Sequence, residues 1–333
     1  MKKNKQNKNI IRAVLIIVLI VAAVITFCVP NSLRESKTVS IKKGLSTTDI
    51  SEALKDEGII SSKYVFLLRV TLSQYRGKLK YGDFEFSPDD GYSDIIKKLA
   101  TGGKKKETVT ITVPEGYSVE KIIELIEDKG IGTKQEIQRT LNDEYNYEFL
   151  KKINVPKECN YRLQGFLFPS TYEFYADATP YEVIDRMLLE FEKQYKTTGA
   201  SYDNLFEAIT KASMIEREAK TDGDRTMIAG VIENRLNKNM KLQIDATVMY
   251  AITDGLYDAD KVYYKDLDKK SPYNTYANTG LPVGPIANPG IKSIKAALSP
   301  AHHDYLYYRT DENKNEGSHV FSKNFEEHKT AND

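Results

Sequence analysis

The chain has 333 residues, with 48 basic and 47 acidic side chains and a net charge of +1. That length allows two or three domains with a sizeable core, and the balanced charge argues against a nucleic-acid binder, which shows a basic excess. Two cysteines, Cys28 and Cys159, exclude a disulfide framework. No phosphate-binding loop, dinucleotide glycine motif or Cys/His metal spacing occurs, so neither metal nor cofactor is expected.

Residues 1–12 carry five positive charges and no acid. Residues 13–29, AVLIIVLIVAAVITFCV, are uncharged and apolar. A transmembrane helix needs roughly 17–25 such residues, whereas the apolar part of a signal peptide is about 7–15 and ends in a small-x-small cleavage site. The segment after the run offers no such site, so a retained single-pass transmembrane helix is expected over a cleaved leader. The positive end stays cytoplasmic, which places the rest of the chain outside the cell membrane.

Two stretches then share one plan. VSIKKGLSTTDISEALKDEGII (39–60) and VTITVPEGYSVEKIIELIEDKGI (109–131) each run from an alternating strand through a glycine turn to a helix. Ser46 and Ser118 stand where N-caps belong, and Asp49, three residues after Ser46, makes the first a capping box with Asp in place of Glu. Gly58 and Gly130 end the helices. A partial third copy begins at Gly91. Such a unit either grips an extended polymer or serves as a spacer, and only Tyr81, Phe84 and Tyr92 offer glycan-stacking faces; the spacer is the better-supported reading. TGGKKK (101–106) reads as a solvated turn. NYRLQGFLFPSTYEFY (160–175) is too interrupted by Gly and Pro for a helix, and its aromatics read as core.

The helix beginning near Leu205 carries the chemistry. On a helical wheel Leu205, Ala208, Ile209, Ala212, Ile215 and Ala219 share one side, and Glu216 falls among them. Glu207 and Glu218 fall on the far side, toward water. A carboxyl on an apolar face is pushed toward its neutral form and so toward general-acid work. The alternative is a structural ion pair, with Arg235 the nearby cation. Asp224 is placed to cap a second helix over about 225–237. Residues 253–270 read as an exposed insertion, and 271–290, SPYNTYANTGLPVGPIANPG, as a long loop whose amides, hydroxyls and aromatics suit a sugar polymer. A short helix at 291–298 and strands near 304–309 and 317–321 close the chain. Gln243, Asp245, Tyr273, Asn274, Thr275, Tyr276 and Asn288 are candidates for substrate positioning or, equally, for bonds that stabilise the loop. Glu218 is a possible support for Glu216, and His319 reads as structural.

ASMIEREA (212–219), NRL followed by KLQIDATVMYA, the 271–290 loop, and YLYYR with GSHVFSKNFEEH together resemble the endolytic murein transglycosylase (YceG-like) family, in that family's order. RLQGFLFPSTYEF resembles the region before its catalytic core. Two departures show, Gln164 where an acid is expected and Ser170 where Asp is expected. The resemblance implies an α+β fold: an N-terminal transmembrane helix, a LysM-like β-α module and a mixed α+β catalytic domain. The organisation expected is a cytoplasmic tail (1–12), transmembrane helix (13–29), membrane-proximal module (30–106), second β-α module with the aromatic region (107–200), and catalytic core (201–333). It further implies cleavage within nascent peptidoglycan glycan strands, leaving 1,6-anhydro-MurNAc ends, with the family's acid at Glu216. Glycan strands, the membrane and peptidoglycan synthases would be its partners. Two other functions stay open: a muramidase-type hydrolase using Asp245 as base, and a non-catalytic wall-binding scaffold.

Overall fold

In the computed structural model the described residues are 35–102, 107–312 and 317–331. The tail 1–12, the apolar run 13–29 and residues 103–106 of the polar turn lie outside them. Among the described residues no helix is long and apolar enough to cross a membrane. Two compact units divide the chain, the first ending at Glu107 and the second running Thr108–Asp333.

The capping signals set the first unit. Strand β1 (Lys37–Ile41) leads into α1 (Thr47–Asp56), where Ser46 and Asp49 close a reciprocal capping box. Helix α2 (Lys63–Leu72) is capped by Ser62, and β2 (Gly82–Phe86) returns antiparallel to β1, pairing Val39 with Phe84. Helix α3 (Tyr92–Thr101) follows. Alternation along the strands turns Val39, Ile41, Phe84 and Phe86 inward onto Ile50, Leu54, Phe66, Ile95 and Leu99. Of the three aromatics that could have stacked on a glycan, Phe84 and Tyr92 are buried in this unit and Tyr81 is exposed. A strand face used to build a core is not free for a ligand.

The second unit opens on the same plan. Strand β3 (Thr108–Thr112) precedes α4 (Val119–Asp128), with Ser118 as N-cap, then α5 (Lys134–Thr140) and α6 (Glu148–Lys152). Strand β4 (Thr171–Tyr175) pairs antiparallel with β3. Gly58 and Gly130 both end their helices in the left-handed region, at φ 74° and 75°, which a side chain would resist. The aromatic stretch before β4 is core: the rings of Phe149, Phe166 and Phe191 meet at 4.9–5.8 Å. Gln164 is buried there, its side-chain oxygen accepting from the Val119 N–H at the start of α4.

Helix α7 (Pro180–Lys196) leads to α8 (Leu205–Glu218), α9 (Asp222–Asn237), α10 (Asp245–Ile252) and α11 (Ile291–Leu298). Strands β5 (Tyr307–Thr310) and β6 (His319–Ser322) form a hairpin, followed by α12 (Phe325–Thr330). The unit is continuous across residue 200, where the sequence suggested a division. Ile111, Ile122 and Phe191 belong to one cluster with Ile209, Met214 and Ile294. Helix α9 is capped by Thr221, not by Asp224, whose carboxylate turns to β6.

Candidate active site

Helix α8 is the centre of the second unit and is covered on most of its circumference. Ala208, Ile209, Thr210, Ala212, Ser213, Met214 and Ile215 are all buried, so the cover extends well beyond the stripe marked by the sequence, while Glu207 faces water as expected. The outer face is therefore narrow, and the two acids at the end of the helix must be placed by their contacts.

Glu216 faces the loops around 114–117 and 288–290. Its Oε2 accepts from the Gly290 N–H at 2.8 Å, at the N-terminus of α11, and its Oε1 lies 3.6 Å from the Arg225 guanidinium. The ion pair weighed from sequence is thus present, with Arg225 as its cation. Arg235 is elsewhere: it donates to the backbone oxygens of Leu306 at 2.6 Å and Leu242 at 2.7 Å. Glu115 stands beside Glu216. Burial, and next the Glu216 charge, raise its pKa, opposed by Arg225 and Lys292.

Glu218 does not face open water, as the wheel suggested. It lines a cavity of about 340 Å³ together with Gln243, Asp245, Tyr276, Tyr308 and His319. Tyr308 donates its hydroxyl to Glu218 Oε2 at 3.2 Å. Burial is the first cause raising the Glu218 pKa. The Asp245 charge adds to it, while the Tyr308 hydroxyl, His319 and the Ala246 N–H act against it. The last turn of α8 works in the same direction as burial, since a helix C-terminus is partly negative and disfavours an anion. Crowded by protein yet open to a cavity, this carboxyl is the one whose surroundings suit a proton donor.

The other sequence candidates divide into two groups. Gln243, Asp245 and Tyr276 line the cavity with Glu218. Gln243 takes a left-handed conformation at φ 51°, its N–H donating to Thr275 O at 3.2 Å. Asp245 begins α10 and accepts the Tyr276 hydroxyl at 2.5 Å. Tyr273, Asn274, Thr275 and Asn288 are buried, and their bonds go inward. They take the loop-stabilising role, one of the two alternatives that the residue types left open, and not the substrate-positioning one. Thr275 Oγ1 accepts from the Ile244 N–H and shares a bond with Thr247. Asn274 donates to the Leu267 and Lys269 carbonyls and accepts from the Tyr276 N–H, which aims that ring. Tyr273 accepts from the Asn160 N–H. Asn288 accepts from the Gly165 and Leu167 N–H groups and donates to the Tyr117 carbonyl.

Sequence reasoning missed what the C-terminal hairpin contributes. Tyr307, Tyr308 and Arg309 from β5, and His319 from β6, complete the cavity wall. The alternation in YLYYR marks a strand but not the helix it folds against. His319 is locked: its Nδ1 and its backbone N–H both lie against Asp224 Oδ2, at 3.0 and 3.2 Å. Among the described residues no group of three or more His, Cys, Asp or Glu side chains is arranged to hold a metal ion.

With this geometry in view, comparison with known proteins is informative. The sequence profile of the YceG-like family matches residues 39–333. An endolytic murein transglycosylase of Bacillus subtilis is 37% identical over 317 residues, a match spanning 90% of this chain and 85% of that protein. One from Streptococcus pneumoniae is 30% identical over 316 residues, spanning 87% of this chain and 57% of that protein. The solved structure of a YceG-like protein from Listeria monocytogenes superposes with a TM-score of 0.56 at 34% identity, covering 90% of this chain and 100% of that one. The chain belongs to the YceG-like family.

Proposed function

We propose that this protein is an endolytic peptidoglycan lytic transglycosylase in which Glu218 serves as acid and then as base. The observation that carries the reading is the Glu218 carboxyl, raised in pKa by burial yet lining a cavity. The names of the relatives supply the substrate class. Glu216 then takes a supporting part: it ties α8 to the start of α11 and to Arg225, which holds the end of α8 in place.

One acid suffices for this chemistry. Protonated Glu218 gives its proton to the glycosidic oxygen between MurNAc and GlcNAc as the bond from MurNAc C1 to that oxygen breaks. The GlcNAc hydroxyl leaves. The C6 hydroxyl of the same MurNAc attacks C1, and the Glu218 carboxylate takes its proton, which regenerates the acid. The product end is a 1,6-anhydro ring, no water is consumed, and the intramolecular nucleophile makes a second carboxylate unnecessary. Asp245, held by Tyr276, stands in the same cavity, where a carboxylate would oppose the positive charge developing at C1. Gln243 and Tyr276 offer amide and hydroxyl contacts to ring hydroxyls.

The wider reading is a single-pass protein anchored by residues 13–29, with its catalytic unit outside the membrane. Its first unit is then a LysM-like module next to the bilayer. Support for the anchor is the length and flanking charge of the run. Support for the module is its β-α-α-β order with paired outer strands. Cell fractionation and protease accessibility test the topology.

The catalytic reading is tested by digesting purified glycan strands with the parent, Glu218→Gln and Glu216→Gln proteins and identifying the products by mass spectrometry. Anhydro ends are expected from the parent and from Glu216→Gln, with Glu218→Gln slower by about 10²-fold or more. Loss with Glu216→Gln and retention with Glu218→Gln would return the acid role to position 216. Free reducing ends would favour the hydrolase with Asp245 as base, and an inert parent protein would favour a scaffold.

A further inference from the structure

Asp224 and His319 form a buried pair that the reaction above does not use. The side chains are 10% and 7% exposed, and His319 Nδ1 lies 3.0 Å from Asp224 Oδ2. The same carboxylate oxygen accepts the His319 backbone N–H at 3.2 Å, so both the ring and its strand are fixed to the first turn of α9. The Tyr308 ring packs edge-on to His319, with centroids 5.4 Å apart at 85°. Phe321 closes another side at 6.4 Å. Rotation of the imidazole is therefore restricted, and the ring lines the same cavity as Glu218. A histidine buried only to satisfy a core would have no reason to form that wall.

We propose that His319 is a positioning residue of the catalytic cavity: Asp224 orients its ring, so that β5 and β6 bring the Tyr308 hydroxyl and the His319 imidazole to Glu218 together. The proposal rests on the reading of Glu218 as the acid. With Nδ1 donating to Asp224, Nε2 is the edge left for the cavity. Its effect on Glu218 is electrostatic. The groups acting most on that carboxyl are Asp245 from α10, Tyr308 from β5 and His319 from β6, with the Ala246 N–H; Tyr257 and Tyr276 also interact with it, and Arg235 of α9 and His328 of α12 line the same cavity. Asp245 raises the Glu218 pKa, whereas His319 lowers it. Burial alone makes a carboxyl a good donor and a poor base. An imidazole held nearby eases the second half of the cycle, when the same group must carry charge and accept the C6 proton. Asp224 keeps the imidazole from turning away.

His319→Asn is the informative variant, because the asparagine amide reaches the position of Nδ1 and keeps the bond to Asp224 while removing the ring. The Glu218 carboxyl is followed by carbon-13 NMR titration of the full-length protein, its signal assigned by loss in Glu218→Gln, beside the pH profile of strand cleavage. The expected result is a melting temperature close to the parent's, a Glu218 titration midpoint moved upward, and a matching upward move of the alkaline limb of activity. An unmoved midpoint in a folded His319→Asn protein overturns the proposal. If that variant does not fold, Asp224→Asn, which keeps an acceptor for the hairpin but loosens the hold on the ring, must move the same midpoint. An unmoved midpoint there, or the collapse of both variants, assigns the pair to holding the hairpin and ends the proposal. Should Glu218→Gln remain active, the catalytic reading fails by itself, while the titration still decides whether His319 acts on Glu218.

Discussion

Replacing Asn288 by alanine separates the two roles a loop amide can have. Its Oδ1 accepts from Gly165 N at 3.0 Å and Leu167 N at 2.9 Å, and its Nδ2 donates to Tyr117 O at 2.9 Å. The side chain is 0% exposed. Alanine removes all three bonds and leaves the Gly165 and Leu167 N–H groups without partners, while the Tyr117 carbonyl keeps the backbone N–H of residue 288 at 2.8 Å. Each orphaned buried group costs about 1–3 kcal/mol, and partial entry of water brings the total to about 3–5 kcal/mol. For a unit the size of Thr108–Asp333, each kcal/mol lowers the melting temperature by about 2–4 °C, so a fall of about 10 °C is expected. Thermal melts followed by near-ultraviolet circular dichroism measure it. Strand cleavage by the fraction still folded at low temperature should keep the parent KM. A melting temperature within about 2 °C of the parent together with a raised KM would refute the reasoning and make Asn288 a substrate contact.

Glu218→Gln should raise stability at neutral pH, because it removes a carboxylate that burial disfavours. The sign follows from the raised folded-state pKa. The folded protein holds this proton more tightly, so its contribution to stability is full below the ordinary carboxylate pKa and is lost as pH rises through the raised one. Urea melts of parent and variant between acid and neutral pH should therefore diverge in favour of the variant as pH rises; a constant difference contradicts the placement of Glu218. Glu216→Ala deprives Gly290 N–H and Arg225 of an acceptor, and a loss of about 1–3 kcal/mol in urea melts is expected. No loss would mean that this contact does not hold α8. Ser46→Ala breaks the capping box of α1, and about 1 kcal/mol should disappear from the first unit. Amide exchange localised to α1 would report it; exchange unchanged there would count against the cap.

The parts of this fold that were legible in the sequence are those decided within a few residues. Ser46 with Asp49, and Ser118 before its helix, are local hydrogen-bonding devices, and both operate as their spacing implies. Helix α11 has the expected bounds, Ile291–Leu298, because Pro289 and Gly290 stop the loop and Ser299 and Pro300 stop the helix. Gln243, Asp245 and Tyr276 could be named from residue type beside an irregular loop. What could not be read is decided by packing across the chain. The wheel distinguished Glu216 from Glu218 by one apolar stripe; it placed Glu207 in water correctly, but the C-terminal hairpin covers the same side of α8 at Glu218. Asp224 looked like a cap because nothing nearby in sequence showed that His319, 95 residues later, would claim it. The four loop residues were assigned by chemistry alone, and a buried amide and an exposed one are the same letter.

The hairpin of β5 and β6 has a consequence for the life of the chain before it is complete. Tyr308 lies 90 residues beyond the carboxyl it contacts. A ribosome makes Glu218 long before it makes Tyr308 and His319. Until the final strands dock, the acid has neither its hydroxyl partner nor its enclosing wall. On the proposed reading of Glu218, a nascent chain would gain the ability to cut only once this hairpin has docked.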